Sequence, residues 1–376
     1  MTQPLHLRSG ARILIVALRR LGDVLLTTPL IRSVKRAYPN ATVDALVFAG
    51  TEGVLAGNPD LKSVLTVPAR PDLRQTLALL KQIAKRYDLA LSTQTGDRPT
   101  TLAIIAGRQS AGVVEGEGLA AAAKRFLLSR SCSTDRERHR VHDILQLAEL
   151  LGIRPVAELV CPSGPLRSGL VPAQSYAVLH AAPMFIYKRW TIDGWRKLSA
   201  ALRERGLPVV VTGAASDRSY LDEVWPAGDH DGVMGRDMGR DMGRDMGRDV
   251  VRLDGRLDWP ELAAAIGGAR VYIGPDTAIT HLAAASGAPT VALYGPTDPR
   301  LWGPWPRGGL DHAWAPAGTI QRRGNVWLVQ NPLLCLPCQQ EGCDRRLDSR
   351  SQCLDGLTAA QVLSAVDEAL AMRQAA

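Results

Sequence analysis

The chain of 376 residues contains no apolar run long enough to cross a bilayer. Its longest early apolar stretch, Ile13 to Leu18, is stopped by Arg19 and Arg20, and it falls well short of the ~18 residues that a span requires. The same stretch is too short for the core of a secretion signal, and no small-residue cleavage site follows it. We therefore expect a cytoplasmic protein that meets a membrane only at its surface.

Cysteine is also scarce, and six residues in a cytosolic chain of this size argue against a disulfide framework. Four of them lie near the end with C-x2-C-x4-C-x9-C spacing: Cys335, Cys338, Cys343 and Cys353. Four thiolates so spaced could hold a structural zinc, although the second pair departs from the common C-x2-C spacing. Free, locally packed thiols or redox pairing are the alternatives.

The composition is that of a folded protein, with 46% hydrophobic and 22% charged residues. The charge is unevenly distributed. Through Val171 there are 23 basic and 14 acidic residues, a net +9, whereas the remainder has 22 and 23, a net −1. All eight tryptophans lie in that second part. Two such different halves predict two domains, of which the basic one meets an anionic partner.

Buried strand patterns alternate with helical patterns along both halves. RILIVAL (12–18) and TVDALVF (42–48) are continuous apolar runs typical of parallel strands, and DVLLTTPLIRSVKRAY (23–38) between them has helical periodicity. We predict an α/β fold of two doubly wound parallel-sheet domains, residues 1–165 and 173–357. A Pro-, Gly- and Ser-rich stretch, 161–172, links them, and a final helix, 358–376, is expected to pack back on the first domain.

Residues 234–249 repeat MGRD four times. A glycine at every fourth position disfavours a helix, and the repeat has no strand alternation. We interpret it as a surface loop inserted in the second domain; anion binding by its regularly spaced arginines is the alternative.

The loop after the first strand reads Arg19-Arg20-Leu21-Gly22-Asp23. Ligands bind at the carboxyl ends of strands in open α/β sheets, where Gly22 permits close backbone approach and Asp23 can act as a general base toward a sugar hydroxyl. The alternative is that Asp23 is only a helix N-cap. Because RRLGD replaces G-x-G-x-x-G, a nicotinamide dehydrogenase is disfavoured.

A second strand end, GPDTAITHLAAASG (274–287), predicts a helix capped by Asp276. The N–H groups near Thr277 and Ala278 would then bind a diphosphate, with His281 one turn along the same face. Lys188, in the loop APMFIYKRW (182–190), could neutralise a leaving diphosphate, and Asp217 could hold a ribose hydroxyl. The competing interpretation is an ordinary capped helix with His281 packed beneath it.

Three motifs in order, ILIVALRRLGDVLLTTPLIRSVKRAYP, YKRWTIDGWRKL and IGPDTAITHLAAASGAPTVALYGPTDPRLWGP, resemble glycosyltransferase family 9, the ADP-heptose:lipopolysaccharide heptosyltransferases. The likeness covers nearly the whole chain except the MGRD repeat, and the cysteine-bearing tail resembles the heptosyltransferase III-like subgroup. One departure is Ala278, where the family often has glycine.

The resemblance implies a GT-B fold, with an acceptor-binding first domain and a nucleotide-sugar-binding second domain facing a cleft. It implies inverting transfer of heptose from ADP-heptose to the lipopolysaccharide core, without a catalytic metal or other cofactor. Asp23 would be the base, and the donor would be held by Lys188, Asp217, Asp276, Thr277, Ala278 and His281. The basic first half suits a phosphorylated acceptor, whose expected contacts are Arg19, Arg20, Gly22, Arg136, Arg138 and Arg140.

The same resemblance implies contact with the inner membrane surface through the lipid acceptor and no nucleic-acid partner. Two other classes of function remain open on the sequence. One is a GT-B enzyme with another nucleotide-sugar donor, or a nucleotide-sugar epimerase, because a fold does not fix a function. The other is a binding protein that retains the site without turnover.

Overall fold

The computed structural model describes residues 5–226 and 250–372. The chain divides into two compact units after Pro162, within the stretch rich in Pro, Gly and Ser. The MGRD repeat, residues 234–249, lies outside the described residues, so its interpretation as a surface loop stays a prediction. In the described parts, no helix combines the length and the apolar character needed to cross a bilayer.

The first unit contains a parallel sheet in the order β3-β2-β1-β4-β5-β6. Its strands are β1 (Arg12–Ala17), β2 (Thr42–Phe48), β3 (Ser63–Val67), β4 (Tyr87–Ser92), β5 (Gly107–Val113) and β6 (Arg130–Cys132). The direction of winding reverses between β1 and β4. Such a reversal opens a crevice at the carboxyl ends of these two strands, where ligands bind in this class of fold.

The helices of this unit are α1 (Leu21–Leu26), α2 (Thr28–Ala37), α3 (Leu73–Ile83), α4 (Asp97–Ala106), α5 (Leu119–Leu127) and α6 (Arg140–Leu150). The single helix predicted over 23–38 is wrong, because α1 and α2 are separate helices that meet at Thr27. Pro29 explains the break: it has no N–H to donate within a continuous helix. The Thr28 hydroxyl bonds to the carbonyl of Leu25 at the junction (2.8 Å).

The second unit has a seven-stranded sheet in the order β12-β13-β11-β10-β7-β8-β9, parallel except for β12. The strands are β7 (Ala177–Leu179), β8 (Val209–Val211), β9 (Val250–Arg252), β10 (Val271–Pro275), β11 (Thr290–Leu293), β12 (Ile320–Arg323) and β13 (Val326–Val329). The helices are α7 (Ile192–Glu204), α8 (Arg218–Val224), α9 (Trp259–Gly268), α10 (Ala278–Ser286), α11 (Pro299–Trp302), α12 (Gln352–Asp355) and α13 (Ala359–Met372).

The final helix, α13, corrects one prediction: its apolar side is buried in the core of the second unit. Val362, Ala365, Val366 and Ala369 recur at helical spacing and are fully buried there. Polar contacts hold the same helix to its unit, since the Trp327 indole donates to Glu368 (3.0 Å). A helix with one apolar stripe packs where that stripe is covered, and here the sheet β10-β11-β13 covers it.

Candidate active site

Asp23 lies at the carboxyl end of β1, in the first turn of α1. It does not cap the helix: the N-cap is Arg20, and no side chain accepts a capping hydrogen bond there. The N-cap interpretation of Asp23 is therefore wrong. Its side chain is 14% exposed, and its Oδ1 makes no hydrogen bond with any residue that the structure describes. Oδ1 is itself buried, so the exposed part of the side chain is what a hydroxyl group can reach.

Burial raises the pKa of Asp23 above its ordinary value, and the positive charges of Arg140, Arg19 and Arg20 partly offset this effect. The nearest of these is Arg140, whose Nε lies 3.8 Å from Oδ1 of Asp23. A carboxylate with a raised pKa has a higher affinity for a proton, as general-base catalysis near neutral pH requires.

Arg140 is held in place by its other nitrogens. Nη1 contacts Oδ2 of Asp143 at 2.5 Å, and Nη2 donates to the carbonyl of Thr93 at 3.0 Å. Thr93 follows β4, the other strand at the reversal of the sheet. The next residue, Gln94, is buried with its Nε2 unpaired among the described residues, and the sequence reasoning missed it.

The other predicted acceptor residues lie at varying distances from Asp23. Arg19 and Arg20 are exposed in the same loop, and Gly22 is the second residue of α1. Arg136 and Arg138, by contrast, are exposed and pair with acidic residues of their own surroundings, Glu115 and Asp135. Of the predicted arginine cluster 136–140, the structure brings Arg140 into contact with the carboxylate of Asp23.

In the second unit, Lys188 and Asp276 form a partly buried ion pair at the carboxyl end of β10. Lys188 Nζ lies 2.5 Å from Oδ2 of Asp276, and the Thr297 hydroxyl donates to the same oxygen at 2.6 Å. Burial opposes ionisation of Asp276, but Lys188, Thr297 and His281 outweigh it and hold the pKa of Asp276 below its ordinary value. Thr297 was not singled out from the sequence, although it lies in the motif GPTDPRLWGP.

Helix α10 begins beside this pair, and its N-cap is Thr277, not Asp276 as predicted. The Thr277 hydroxyl accepts from the N–H of Thr280 (3.3 Å), while the carboxylate of Asp276 is engaged by Lys188. Ala278 is the first helical residue. Thr277 and the first residues of α10 therefore present backbone N–H groups that lack intrahelical partners, the arrangement that binds phosphate groups.

Two buried histidines flank this part of the site. His281 is buried on α10 with its Nδ1 unpaired among the described residues, and burial lowers its pKa to about 4 despite the charge of Asp276. His180, after β7, lies 3.1 Å from the Thr212 hydroxyl, and burial likewise lowers its pKa to about 4. Both are therefore neutral at physiological pH.

The carboxylate of Asp217 accepts from the N–H of Ala214 (2.8 Å), within its own loop.

The four tail cysteines do not support the zinc interpretation. Over residues 5–226 and 250–372, no group of three or more His, Cys, Asp or Glu side chains is arranged to hold a metal ion. All four thiols are free, with Cys335 and Cys343 exposed and Cys353 buried. Burial, together with the neighbouring thiols, raises the pKa of Cys353 to about 12. The alternative of free thiols or redox pairing stays a prediction.

Comparison with known proteins identifies relatives over most of the chain. The family model for glycosyltransferase family 9 (heptosyltransferase) matches residues 76–309. Lipopolysaccharide heptosyltransferase 3 of Escherichia coli K12 is 26% identical over 76% of this chain and 82% of its own length. Lipopolysaccharide heptosyltransferase 1 of Pseudomonas aeruginosa is 28% identical over 79% of this chain and 82% of its own.

Solved structures resemble the fold over nearly its full length. A family 9 glycosyl transferase from Veillonella parvula superposes with a TM-score of 0.71 at 18% identity, covering 96% of this chain and 97% of that one. An E. coli heptosyltransferase with ADP gives 0.68 at 20% identity, covering 95% and 99%. These likenesses confirm the predicted GT-B fold. Since the family model spans well over half of the residues, the chain belongs to glycosyltransferase family 9 and is a glycosyltransferase.

Proposed function

We propose that this enzyme transfers a heptose from ADP-heptose to the inner core of lipopolysaccharide, with inversion at the anomeric carbon. The relatives' names support the substrate class, because they are lipopolysaccharide and lipooligosaccharide heptosyltransferases. Two of the E. coli neighbours were solved with ADP and with ADP-2-deoxy-2-fluoro heptose. Of the open alternatives, family membership favours transfer over epimerisation or binding without turnover.

The observation that carries the proposed mechanism is the partly exposed carboxylate of Asp23, whose nearest cation is 3.8 Å away. This carboxylate accepts the proton of the acceptor hydroxyl as the hydroxyl oxygen attacks the anomeric carbon of the donor. The bond between the anomeric carbon and the diphosphate oxygen breaks, and ADP leaves with the electron pair. Because the nucleophile enters opposite the leaving group, one displacement inverts the configuration.

The donor is assigned to the second unit. The N–H groups at the start of α10, at Thr277 and Ala278, suit the diphosphate, and Lys188 supplies a positive charge next to them. In this assignment Asp276 and Thr297 fix the ammonium of Lys188, while neutral His281 lines the site without repelling or attracting the phosphates strongly. We assign Asp217 to positioning its own loop, with ribose contact remaining a prediction.

The acceptor is assigned to the first unit. Residues 1–162 contain 22 Lys and Arg against 14 Asp and Glu, a net charge of +8 that would attract a phosphorylated core oligosaccharide. Arg19 and Arg20, exposed beside Asp23, are suited to contact its anionic groups. Arg140 is assigned to Asp23 itself, since it lies beside that carboxylate.

The experiment is transfer from ADP-heptose to purified lipopolysaccharide cores truncated at successive sugars, read by mass spectrometry of the product. We expect transfer to one truncation, unchanged by EDTA, and a product of inverted anomeric configuration. Asp23→Asn serves as the inactive variant and Arg136→Gln as the matched control. Donor binding without transfer to any core would refute the assignment of lipopolysaccharide core as the acceptor. Failure to bind ADP-heptose would refute its assignment as the donor and favour another nucleotide sugar.

A further inference from the structure

Helix α5 in the first unit is apolar, yet nearly all of it faces solvent. Its nine residues read LAAAAKRFL, and Ala121 alone is buried among them. Leu119 is 93% exposed, Phe126 88% and Leu127 58%, and the alanines at 122 and 123 are exposed as well. These five residues stand at positions i, i+3, i+4, i+7 and i+8. This is the spacing of the apolar stripe that a helix normally turns toward a core.

The helix is nevertheless firmly packed on its other side. Ala121 and Leu128 join Val114 in a small buried cluster, against which Ile104 of α4 packs. The exposed stripe is therefore not the result of a helix detached from its sheet. It is a second apolar surface of the same helix, and exposed apolar surfaces of this kind mark interaction sites.

A positive charge lies beside the stripe. Lys124 and Arg125 lie on its two flanks by helical geometry, and α5 contains no acidic residue; Lys124 is paired with Asp97 (2.6 Å), whereas Arg125 is exposed. The long side chain of Arg125 can keep its charge among lipid headgroups while its methylene carbons lie over apolar chains. An apolar face flanked by basic residues is typical of helices that lie in the interface of an anionic membrane.

Contacts within the first unit connect α5 to the candidate catalytic edge. Lys124 Nζ donates to the carbonyl of Thr95 (2.9 Å), in the loop that follows β4. Two residues earlier in that loop, the carbonyl of Thr93 accepts from Arg140, which lies 3.8 Å from Asp23. A membrane-bound α5 would thus keep Asp23 near the lipid surface.

We propose that the stripe formed by Leu119, Ala122, Ala123, Phe126 and Leu127 inserts into the headgroup region of an anionic lipid bilayer. This docks the first unit on the membrane without a spanning segment. The docking requires no sugar transfer, so it can be tested independently of the proposed function.

The test measures binding of the full-length protein to sedimenting vesicles of phosphatidylcholine alone and of phosphatidylcholine mixed with phosphatidylglycerol. We expect the wild type to bind the mixed vesicles and to be released by salt. The triple variant Leu119→Ser/Phe126→Ser/Leu127→Ser should bind them at least about tenfold more weakly. Arg125→Gln should weaken binding by about fivefold. Leu334→Ser, at a fully exposed leucine of the second unit, is the matched control and should bind as the wild type does.

Three results would overturn the proposal: no vesicle binding by the wild type, equal binding by the triple variant, or equal loss in the control. A dimer of the wild type that the triple variant converts to a monomer, measured by light scattering without lipid, would also overturn it in favour of self-association. Thermal unfolding of each variant establishes that it is folded, and Phe126→Ser alone replaces the triple variant if that one unfolds.

A second readout links docking to transfer and rests on the proposed function. With acceptor embedded in mixed vesicles, the triple variant should show a raised KM. With an acceptor freed of its acyl chains, KM and kcat should equal those of the wild type. Failure of both enzymes on either acceptor would count against the proposed function and leave the vesicle-binding result to stand by itself.

Discussion

Asp23 and Asp276 occupy equivalent places in the two units, each near the carboxyl end of a central parallel strand and beside a helix start. Their surroundings differ in a decisive way. Asp276 is fixed at hydrogen-bond distance by Lys188 and Thr297, and its pKa is lowered. Asp23 has its nearest cation at 3.8 Å, one unpaired oxygen and a raised pKa.

In the proposed mechanism, one residue type serves two purposes. A carboxylate satisfied by a lysine and a hydroxyl has little tendency to take up a proton, so Asp276 is suited to fixing the ammonium of Lys188. A buried carboxylate that lacks close partners is destabilised when ionised and gains by accepting a proton. The proposed proton acceptor is therefore distinguished from the structural anion by its hydrogen bonds, and not by its position in the fold.

The largest effect is expected from Asp23→Asn, which removes the proposed proton acceptor with little change in shape. Turnover should fall by about 10²- to 10⁴-fold while binding of ADP-heptose is retained. Turnover within about threefold of the wild type would remove Asp23 from the role of base.

The same variant should also change the thermal stability of the protein. Because the folded-state pKa of Asp23 is raised, the folded protein binds this proton more tightly than the unfolded chain. The stability that this tighter proton binding gives the folded protein is present below the ordinary pKa of 3.8 and is lost as pH rises from there through the raised folded-state pKa. The neutral amide avoids the cost of burying an ionised carboxylate at pH 7. The Tm of Asp23→Asn at pH 7 should therefore equal or exceed that of the wild type. A lower Tm would show that Asp23 is a structural residue.

The second prediction concerns Lys188→Met, which leaves Asp276 buried without its cation. Breaking such a pair should cost about 3 kcal/mol of unfolding free energy, measured by urea denaturation near neutral pH. Because the pKa of Asp276 is lowered in the folded protein, its ionised carboxylate stabilises the fold above pH 3.8. This stabilisation is lost as pH falls through the pKa of Asp276 in the folded state. The loss in the variant should therefore be smaller in acid.

A double variant separates folding from donor binding at this pair. Lys188→Met/Asp276→Asn no longer buries an unpaired charge, so we expect it to regain most of the stability. It should still bind ADP-heptose weakly in calorimetry, because the cation near the diphosphate is absent. Recovery of donor binding in the double variant would contradict the assignment of Lys188.

Sequence patterns predict the helices and strands whose own hydrophobic pattern is clear. Strand β2 is predicted as 42–48 and observed as Thr42–Phe48. Strand β5 was missed, because GRQSAGV is too polar and glycine-rich to indicate a strand and forms one between β4 and β6. Helix α5 was also missed, since its apolar stripe has no counterpart in the core.

The candidate site shows the same limit. Local sequence was sufficient to single out Asp23, Lys188 and Asp276 at strand ends. It could not show which neighbouring residue caps α10, because Asp276 and Thr277 are both good caps and the choice depends on Lys188, distant in the chain. The pairing of Arg140 with Asp23, and that of Thr297 with Asp276, likewise arise only from the tertiary fold.

The third prediction concerns the pH dependence that Arg140 gives to Asp23. Arg140 lowers the pKa of Asp23 against the larger effect of burial, so Arg140→Met should raise that pKa further. Asp23 acts as a base only when ionised. The acid limb of kcat/KM should therefore move to higher pH, while Arg140→Lys should move it less. An unchanged limb in Arg140→Met would separate the arginine from the base.

The smallest effect is expected from Arg136→Gln and Arg138→Gln. These side chains are 82% and 54% exposed and already pair with Glu115 and Asp135, and exposed pairs contribute only about 0–1 kcal/mol. Each variant should change the KM for the acceptor by less than about threefold at physiological salt and leave the acid limb of kcat/KM in place. A larger rise in KM would mean that the acceptor displaces Glu115 or Asp135. The basic surface used for recognition would then extend from Asp23 to the start of α6.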